Sequence, residues 1–316
     1  AANYIAREYG IKTTMPLWEV KQRCPQVIIR ETHFDLYRDT SSKIFGYLAQ
    51  ITPLVEPASI DEAYIDITDC WEQGAPTDIA KKIQDDILEL YKIPVSIGIS
   101  TCKVLSKMAS DMQKPLGITV LRKREVPHLI WPLPVNELWG CGPKTADKLN
   151  SIGIKTVEDL AKAPDDKIQN LLGKNGMVLK SWANGVDNRL VDKDAAYDYK
   201  SIGNSRTLEK ESAEERILVE VLEKLAKSVS SRLNSKRVLG RTIQITIRYS
   251  ENFKTITRNF TLPNLVSDEK EILHYAVLLF RKNWNGEPVR LLGIALQKLE
   301  KQKESTKQLD LFTFEE

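Results

Sequence analysis

Two hydrophobic periods alternate along this chain, and the points where one gives way to the other mark out its elements. Asn3 before the first short run and Gly10 after it predict a brief helix, capped by the asparagine and ended in the left-handed conformation glycine tolerates. Tyr4 and Arg7, three apart, then share one of its faces. A second helix is expected over 16–23, stopping before Pro25. Phe34, Tyr37, Ile44, Tyr47, Leu48 and Ile51 recur at helical spacing and predict a longer helix over 33–51. A strand hairpin through 55–67 and a helix over 77–90 follow. Pro94–Ile99 alternates, reads as a buried strand, and runs into a helix over 103–112. Hairpin strands mixed with helices predict an α+β fold.

From 126 to about 185 the pattern is helical and short-looped. Residues 187–200 are polar, lack periodicity and are expected to be a linker. Beyond them the order is strand (202–208), helix (213–233), two strands (241–249, 254–261), helix (267–284) and strand (290–299). This predicts a four-stranded sheet with two helices on one face. Ser212 and Glu215 are spaced for a capping box at the first of those helices. Its apolar stripe is Ile217, Leu218, Val221, Leu222, Leu225 and Val229.

With 316 residues the chain can build two or more cores. Its 42% hydrophobic and 28% charged content belongs to a folded protein rather than a disordered one. No apolar run is long enough to cross a bilayer, so no membrane partner is expected. Cys24, Cys70, Cys102 and Cys141 lie far apart without metal-ligand spacing, which predicts free thiols and a cytoplasmic location. The net charge of +3 conceals a local excess. Arg232, Lys236, Arg237, Arg241, Arg248, Lys254 and Arg258 face a single acid, Glu251, within a stretch patterned as strands. The uncovered sheet face is expected to carry them, either as a footprint for a polyanion or as a solvated edge that resists aggregation.

Candidate chemistry is concentrated in Ser59-Ile60-Asp61-Glu62-Ala63-Tyr64. Neighbouring side chains on a regular strand point to opposite faces, so two carboxylates serving one site must lie where the pleat is broken. Pro57, which cannot donate to a ladder, supplies the break. Oxygen ligands of this kind suit Mg²⁺; a solvated acidic turn is the alternative. Leu138-Trp139-Gly140-Cys141-Gly142-Pro143-Lys144 reads as a helix end, a glycine hairpin and a helix start. It suits one DNA phosphate or a plain helix connection. The last residues, Gln308-Leu309-Asp310-Leu311-Phe312, place apolar groups on a polar tail, as docking peptides do.

Together, Tyr4-x-x-Arg7-x-x-Gly10 with Met15-Pro16, the run at 59–64, and Gly98-Ile99-Ser100 leading to Lys103, Lys107, Ala109-Ser110-Asp111 and Lys114-Pro115 resemble the ordered motifs of the Y-family DNA polymerases. These are the low-fidelity enzymes that copy past damaged bases, and the likeness is to their bacterial polymerase IV branch. It covers essentially the whole chain. The resemblance implies a right-hand α+β polymerase: fingers remnant 1–32, palm 33–124, thumb with a helix-hairpin-helix 125–186, linker 187–200, little finger 201–300, and a flexible tail 301–316. Asp61 would bridge two catalytic Mg²⁺ ions and Glu62 would hold the one at the primer 3′-hydroxyl. Tyr4 and Arg7 would hold the incoming dNTP, with Lys114 clamping it; a solvent-facing Lys114 is the alternative. Gly140, Gly142 and Lys144, with Arg206, Lys236, Arg237, Arg241, Arg248 and Arg258 of the little finger, would contact primer-template DNA. Gln308, Leu309, Leu311 and Phe312 would dock on the bacterial sliding clamp. A monomer is implied.

Members of the family begin with a strand bearing an Asp-x-Asp-type motif and an aromatic gate against ribonucleotides. Here Ala1-Ala2-Asn3-Tyr4 comes first, so a fragment is expected, or a sequence from which that stretch has been left out. Cys102 stands where relatives usually have Asn, and Ile5 where they have Glu. A translesion polymerase is therefore the first expectation. The second is a catalytically silent DNA- and clamp-binding fragment. A helix-hairpin-helix scaffold is a third, against which the carboxylate pair and triphosphate residues argue.

Overall fold

The computed structural model describes residues 1–195 and 198–302, and the chain divides into two units between residues 196 and 197. In the first unit, α1 (Tyr4–Glu8) starts where Asn3 Oδ1 accepts the Ala6 N–H at 2.9 Å, and Gly10 follows at φ +73°. Helices α2 (Leu17–Arg23) and α3 (Phe34–Ile51) come next. A hairpin of β1 (Val55–Pro57) and β2 (Ala63–Ile65) leads to α4 (Pro76–Tyr91). Leu48 of α3, Val55 of β1 and Ile79, Ile83 and Ile87 of α4 form one buried cluster. Their spacing along each helix is the one the sequence predicts.

Strand β3 (Ile97–Ile99), helix α5 (Lys103–Met112) and β4 (Ile118–Val120) form a parallel strand-helix-strand unit. The sequence pattern did not predict β4. Gly98 lets β3 lie directly on α5: a Cβ there would come within 1.9 Å of the Ser106 carbonyl oxygen. The strand is half-buried rather than fully buried, because β3 and β4 make a sheet of only two strands among the described residues. The hairpin and this pair share no ladder there. Helices α6 (Val126–Leu129), α7 (Pro143–Ser151), α8 (Val157–Lys162) and α9 (Asp165–Ala183, kinked at Gly173) complete the unit. The buried face of α5, through Val104, Leu105 and Met108, packs in the same core as Leu149, Leu160 and Ile168 of these helices. Helix α5 thus joins the strand pair to the helical segment.

The second unit is one antiparallel sheet in the order β5–β8–β6–β7, made of β5 (Ser201–Ser212), β6 (Val238–Tyr249), β7 (Thr255–Val266) and β8 (Val289–Lys301). Helices α10 (Glu215–Ser235) and α11 (Glu269–Asn283) cover one face. The predicted stripe of α10 is buried at Leu218, Leu222, Leu225 and Val229. The predicted capping box is absent. Ser212 is the last residue of β5, drawn into the sheet opposite Val289, and its hydroxyl takes the Glu214 N–H instead. No described helix is long and apolar enough to cross a membrane.

Candidate active site

The β1–β2 hairpin delivers the carboxylates. Glu56 lies opposite Tyr64, and Pro57 opposite Ala63 ends the ladder, having no N–H to offer. The Ala58 and Ser59 N–H groups then both donate to the Glu62 carbonyl, at 2.9 and 3.1 Å. Asp61 and Glu62 occupy this exposed turn, where the pleat no longer forces neighbours apart. Ser59 Oγ donates to Asp61 Oδ1 at 2.5 Å and accepts the Asp61 N–H at 3.3 Å, so one hydroxyl fixes the carboxylate against its own backbone.

Helix α5 and the residues just after it carry alternating charges, with Lys107 facing the turn. Lys107 Nζ lies 3.0 Å from Glu62 Oε1 and 3.2 Å from Asp111 Oδ2, and Lys114 Nζ lies 2.6 Å from Asp111 Oδ1. Burial pulls the Lys107 pKa down and is the largest single influence on it. The hydrogen bond to Glu62 and the neighbouring Asp111 outweigh that and leave it raised. Asp111 is the mirror case: burial pushes its pKa up, but bonds and charge from Lys114 and Lys107 hold it below its ordinary value. Both groups stay charged through the neutral range. The sequence singled out Lys107 and Asp111 without giving them a role; their i, i+4 spacing is the signal that they share a helix face.

Carboxylate oxygens at an exposed turn suit Mg²⁺, which takes one or two of them and completes its shell with water and phosphate. Asp61 and Glu62 fit that donor set. Among the described residues, no three or more His, Cys, Asp or Glu side chains gather as a metal-holding group. Tyr4 and Arg7 do share a face, with Arg7 Cζ 5.6 Å from the Tyr4 ring centroid, and Arg7 Nε donates to the Ala2 carbonyl. Among the described residues no hydrogen bond or ion pair joins them to the carboxylate turn, whereas Lys114 is linked to it through Asp111 and Lys107. The loop after Lys114 is held by Gln84, a buried residue the sequence reading missed. Its Nε2 donates to the carbonyls of Leu116 and Val95, both at 3.0 Å.

The two glycines of the hairpin before α7 have different reasons to be glycine. Gly140 sits at φ +87°, and a Cβ there would come 2.7 Å from the Trp182 ring. Gly142 is at φ −72° as the N-cap of α7, and nothing lies within 4 Å of a Cβ built on it. That open space stands in front of the N-terminal N–H groups of α7, beside exposed Lys144. The segment before the hairpin is a single 3₁₀ turn, Val135–Glu137, rather than the expected helix end. The Pro134–Thr156 bridge and the Val135 N–H bond to the Lys155 carbonyl hold it against the entry to α8.

In the second unit the expected basic face is not what the strands build. Asn204 Nδ2 bonds Ser228 Oγ of α10 at 3.0 Å, and the Phe260 ring stacks on Tyr275 of α11 at 5.6 Å. Both residues therefore point to the helix-covered side. Arg206 and Arg258, each two residues away along the pleat, follow them; Arg206 pairs with Leu292 and Arg258 with buried Ile245. The open face carries Gly203, Ser205, Thr246, Gly293 and Ala295 in a shallow trough, with Arg248 in the row of Leu291 and Thr255. Arg241 falls at the register shift between Gly240 and Thr242, and Lys236 is bound to the Tyr199 hydroxyl at 2.6 Å. A count of charges cannot see pleat parity or a bulge, and those decide which face each arginine takes. Arg237 lies in the turn between α10 and β6, at φ +51°. Gln308, Leu309, Leu311 and Phe312 lie outside the described residues.

Comparison with known proteins gives three concordant findings. Residues 1–111 match the model of the impB/mucB/samB family, residues 199–311 that of the family's C-terminal domain, and residues 123–154 the IMS family HHH motif. DNA polymerase IV of Bacillus cereus is 49% identical over 314 residues, spanning 99% of this chain and 75% of that protein. DNA polymerase IV of Oceanobacillus iheyensis is 51% identical, again over 99% of this chain and 75% of that protein. DNA polymerase IV 1 of Bacillus subtilis (strain 168) is 48% identical over 99% of this chain and 76% of that protein. Among solved structures, the Y-family DNA polymerase chimera Dbh-Dpo4(243-245)-Dbh superposes with a TM-score of 0.84 at 25% identity, covering 95% of this chain and 87% of that one. The insertion ternary complex of Dbh DNA polymerase gives a TM-score of 0.65 at 25% identity, over 93% of this chain and 85% of that one.

Proposed function

This chain belongs to the Y-family DNA polymerases, in the impB/mucB/samB family that includes bacterial DNA polymerase IV, and on that premise we propose that it is a translesion polymerase of low fidelity and low processivity. It transfers a deoxynucleotide from a dNTP to a primer 3′-hydroxyl, directed by a DNA template. The observation that carries the reading is the Asp61–Glu62 turn set against the Lys107–Asp111–Lys114 series.

Asp61 and Glu62 would hold two Mg²⁺ ions, which bound there would supply activation of the attacking hydroxyl and neutralisation of the leaving pyrophosphate. The chain's own side chains do the positioning. Tyr4 and Arg7 hold the triphosphate through ring packing and a guanidinium fork, and Lys114 adds a point charge at the other side. Lys107 balances Glu62 and keeps the turn against α5. Gly140, Gly142 and Lys144 take one backbone phosphate at the start of α7. Arg237, Arg241 and Arg248 supply charge toward DNA from the second unit, with Arg206, Lys236 and Arg258 contributing from outside its open face. Gln308, Leu309, Leu311 and Phe312 tether the enzyme to a sliding clamp, which raises its concentration at the primer end. It works as a monomer in the cytoplasm.

The decisive test is Mg²⁺-dependent single-nucleotide primer extension. Asp61→Ala should cost about 4 kcal/mol of transition-state stabilisation, on the order of a thousandfold in rate, while DNA affinity stays within a few-fold. Equal loss of both would contradict the metal role. A second reading is a DNA-binding fragment that does no chemistry, since Asp61 and Glu62 gather with no third metal-ligating side chain among the described residues. Bound primer-template with no extension by the wild-type chain would establish it. Removing the residues after Gln302 should abolish stimulation by the clamp and spare extension of a short primer; unchanged stimulation would sink the tail assignment.

A further inference from the structure

Three separate parts of the first unit meet at Glu56. Lys103, the first residue of α5, forms an ion pair with its carboxylate, and Oε2 also accepts the Asp192 N–H at 2.6 Å. The pair is enclosed: the Lys103 side chain is 7% exposed and that of Glu56 16%. Lys103 Nζ lies 5.6 Å from the ring centroid of Tyr64, the cross-strand partner of Glu56. A buried ion pair adds little net stability, because desolvation offsets most of the attraction, but it does penalise arrangements that separate the charges.

Lys103 and Lys107 are one helical turn apart on α5. Glu56–Lys103 and Glu62–Lys107 are thus successive rungs between the hairpin and that helix, the first buried and the second exposed at its Glu62 end. When Glu62 turns to another ligand, the outer rung is lost and the inner one remains. The other end of the Asp192 segment is anchored as well. The Asp187 side chain, 1% exposed, accepts the Val104 N–H at 3.1 Å and forks onto Arg189 at 2.8 and 2.7 Å. Arg189 packs over Trp139 and Trp182 at 5.1 and 4.6 Å, and Trp139 immediately precedes the glycine hairpin. The segment expected as linker therefore begins as a strap, 187–192, that ties β1, the start of α5 and the helical segment together.

We propose that Glu56 is a positioning residue for the Asp61–Glu62 turn, locked by Lys103 and by the strap's Asp192 N–H. The assignment rests on the polymerase reading, since it concerns where those carboxylates stand during nucleotide transfer. Glu56 touches neither substrate nor metal; it keeps β1, and with it the turn, at a fixed distance from α5. A shift of about 1 Å at a catalytic group costs on the order of a hundredfold in rate. Loss of the inner rung should therefore show in kcat and in the Mg²⁺ response, not in substrate binding.

The test is Glu56→Gln, which strands a buried ammonium, compared with Glu56→Gln/Lys103→Gln, which rebuilds the rung without charge. In steady-state primer extension the single variant should lose on the order of tenfold to a hundredfold in kcat. Its half-saturating Mg²⁺ concentration should rise, while KM for dNTP and Kd for primer-template stay within about twofold. The double variant should recover most of the kcat. Unchanged kcat in a folded single variant, or a folded double variant without recovery, overturns the proposal. Where neither variant folds, amide hydrogen exchange on the wild-type chain decides: a protected Asp192 N–H supports the tether, and exchange at the rate of an open loop overturns it. That measurement needs no catalysis. A wild-type chain that extends nothing thus counts against the polymerase reading, while the exchange result still judges the strap.

Discussion

A charged side chain in this protein matters according to what surrounds it more than what it pairs with. Many ion pairs among the described residues are exposed i, i+4 contacts such as Lys81–Asp85 and Lys162–Glu158, each worth a few tenths of a kcal/mol at most. Asp187 is different. Burial pushes its carboxyl pKa up, the largest single influence, yet Arg189 and the Val104 N–H bring it below the ordinary value. Between that lowered value and the unfolded value of about 4, the unfolded chain binds the proton and the folded chain does not. The contact therefore stabilises fully above about pH 4 and is lost as pH falls through the folded value. Asp187→Asn should flatten the acid limb of the stability–pH curve and leave the slope between about pH 5 and 8 unaltered. Urea unfolding at a series of pH values reads this directly; an identical acid limb in the variant would sink the idea. Asp187 was legible in the sequence only as part of a polar segment, because nothing local says that a residue 83 positions away will offer its N–H.

At the scale of elements, the glycine hairpin shows why a motif must be taken residue by residue. Gly140 meets a steric demand, with positive φ and the Trp182 ring where its side chain would be. Gly142 faces open space at the start of α7. Gly140→Ala should therefore cost about 2 kcal/mol of stability or more, from left-handed strain and the clash. Gly142→Ala should leave the melting temperature nearly unchanged and weaken DNA binding, because a methyl group obstructs the approach of a phosphate. Thermal melts and DNA titrations of the two variants separate these effects. A Gly142→Ala variant that binds DNA normally would remove that N-terminus from the interface. The spacing of the motif was fully visible in the chain. The division of labour inside it was not, since it depends on Trp182, some forty residues later.

For the whole molecule, the two units have separate cores, so the second can be considered alone. Residues 198–302 produced by themselves should unfold cooperatively and still bind DNA with a marked salt dependence. Within that unit, Arg248→Ala should lower the slope of log affinity against log salt by about 1, and Arg258→Ala should lower it by clearly less. Equal slopes for both variants would mean that the open face is not the one turned toward DNA. The sequence by itself determined the order and period of most elements, the break at Pro57 after which two neighbouring carboxylates leave the ladder, and the motifs that place the chain in its family. These are local properties, fixed by backbone sterics and by spacing along one helix or strand. Tertiary structure alone decided that Lys103 and Lys107 reach back to Glu56 and Glu62, that residues 187–192 strap the hairpin rather than swing free, and that Arg206 and Arg258 turn toward the helices. Each of these depends on partners distant in sequence or on the register between strands. A one-residue shift in register exchanges every side chain between faces without altering the composition at all.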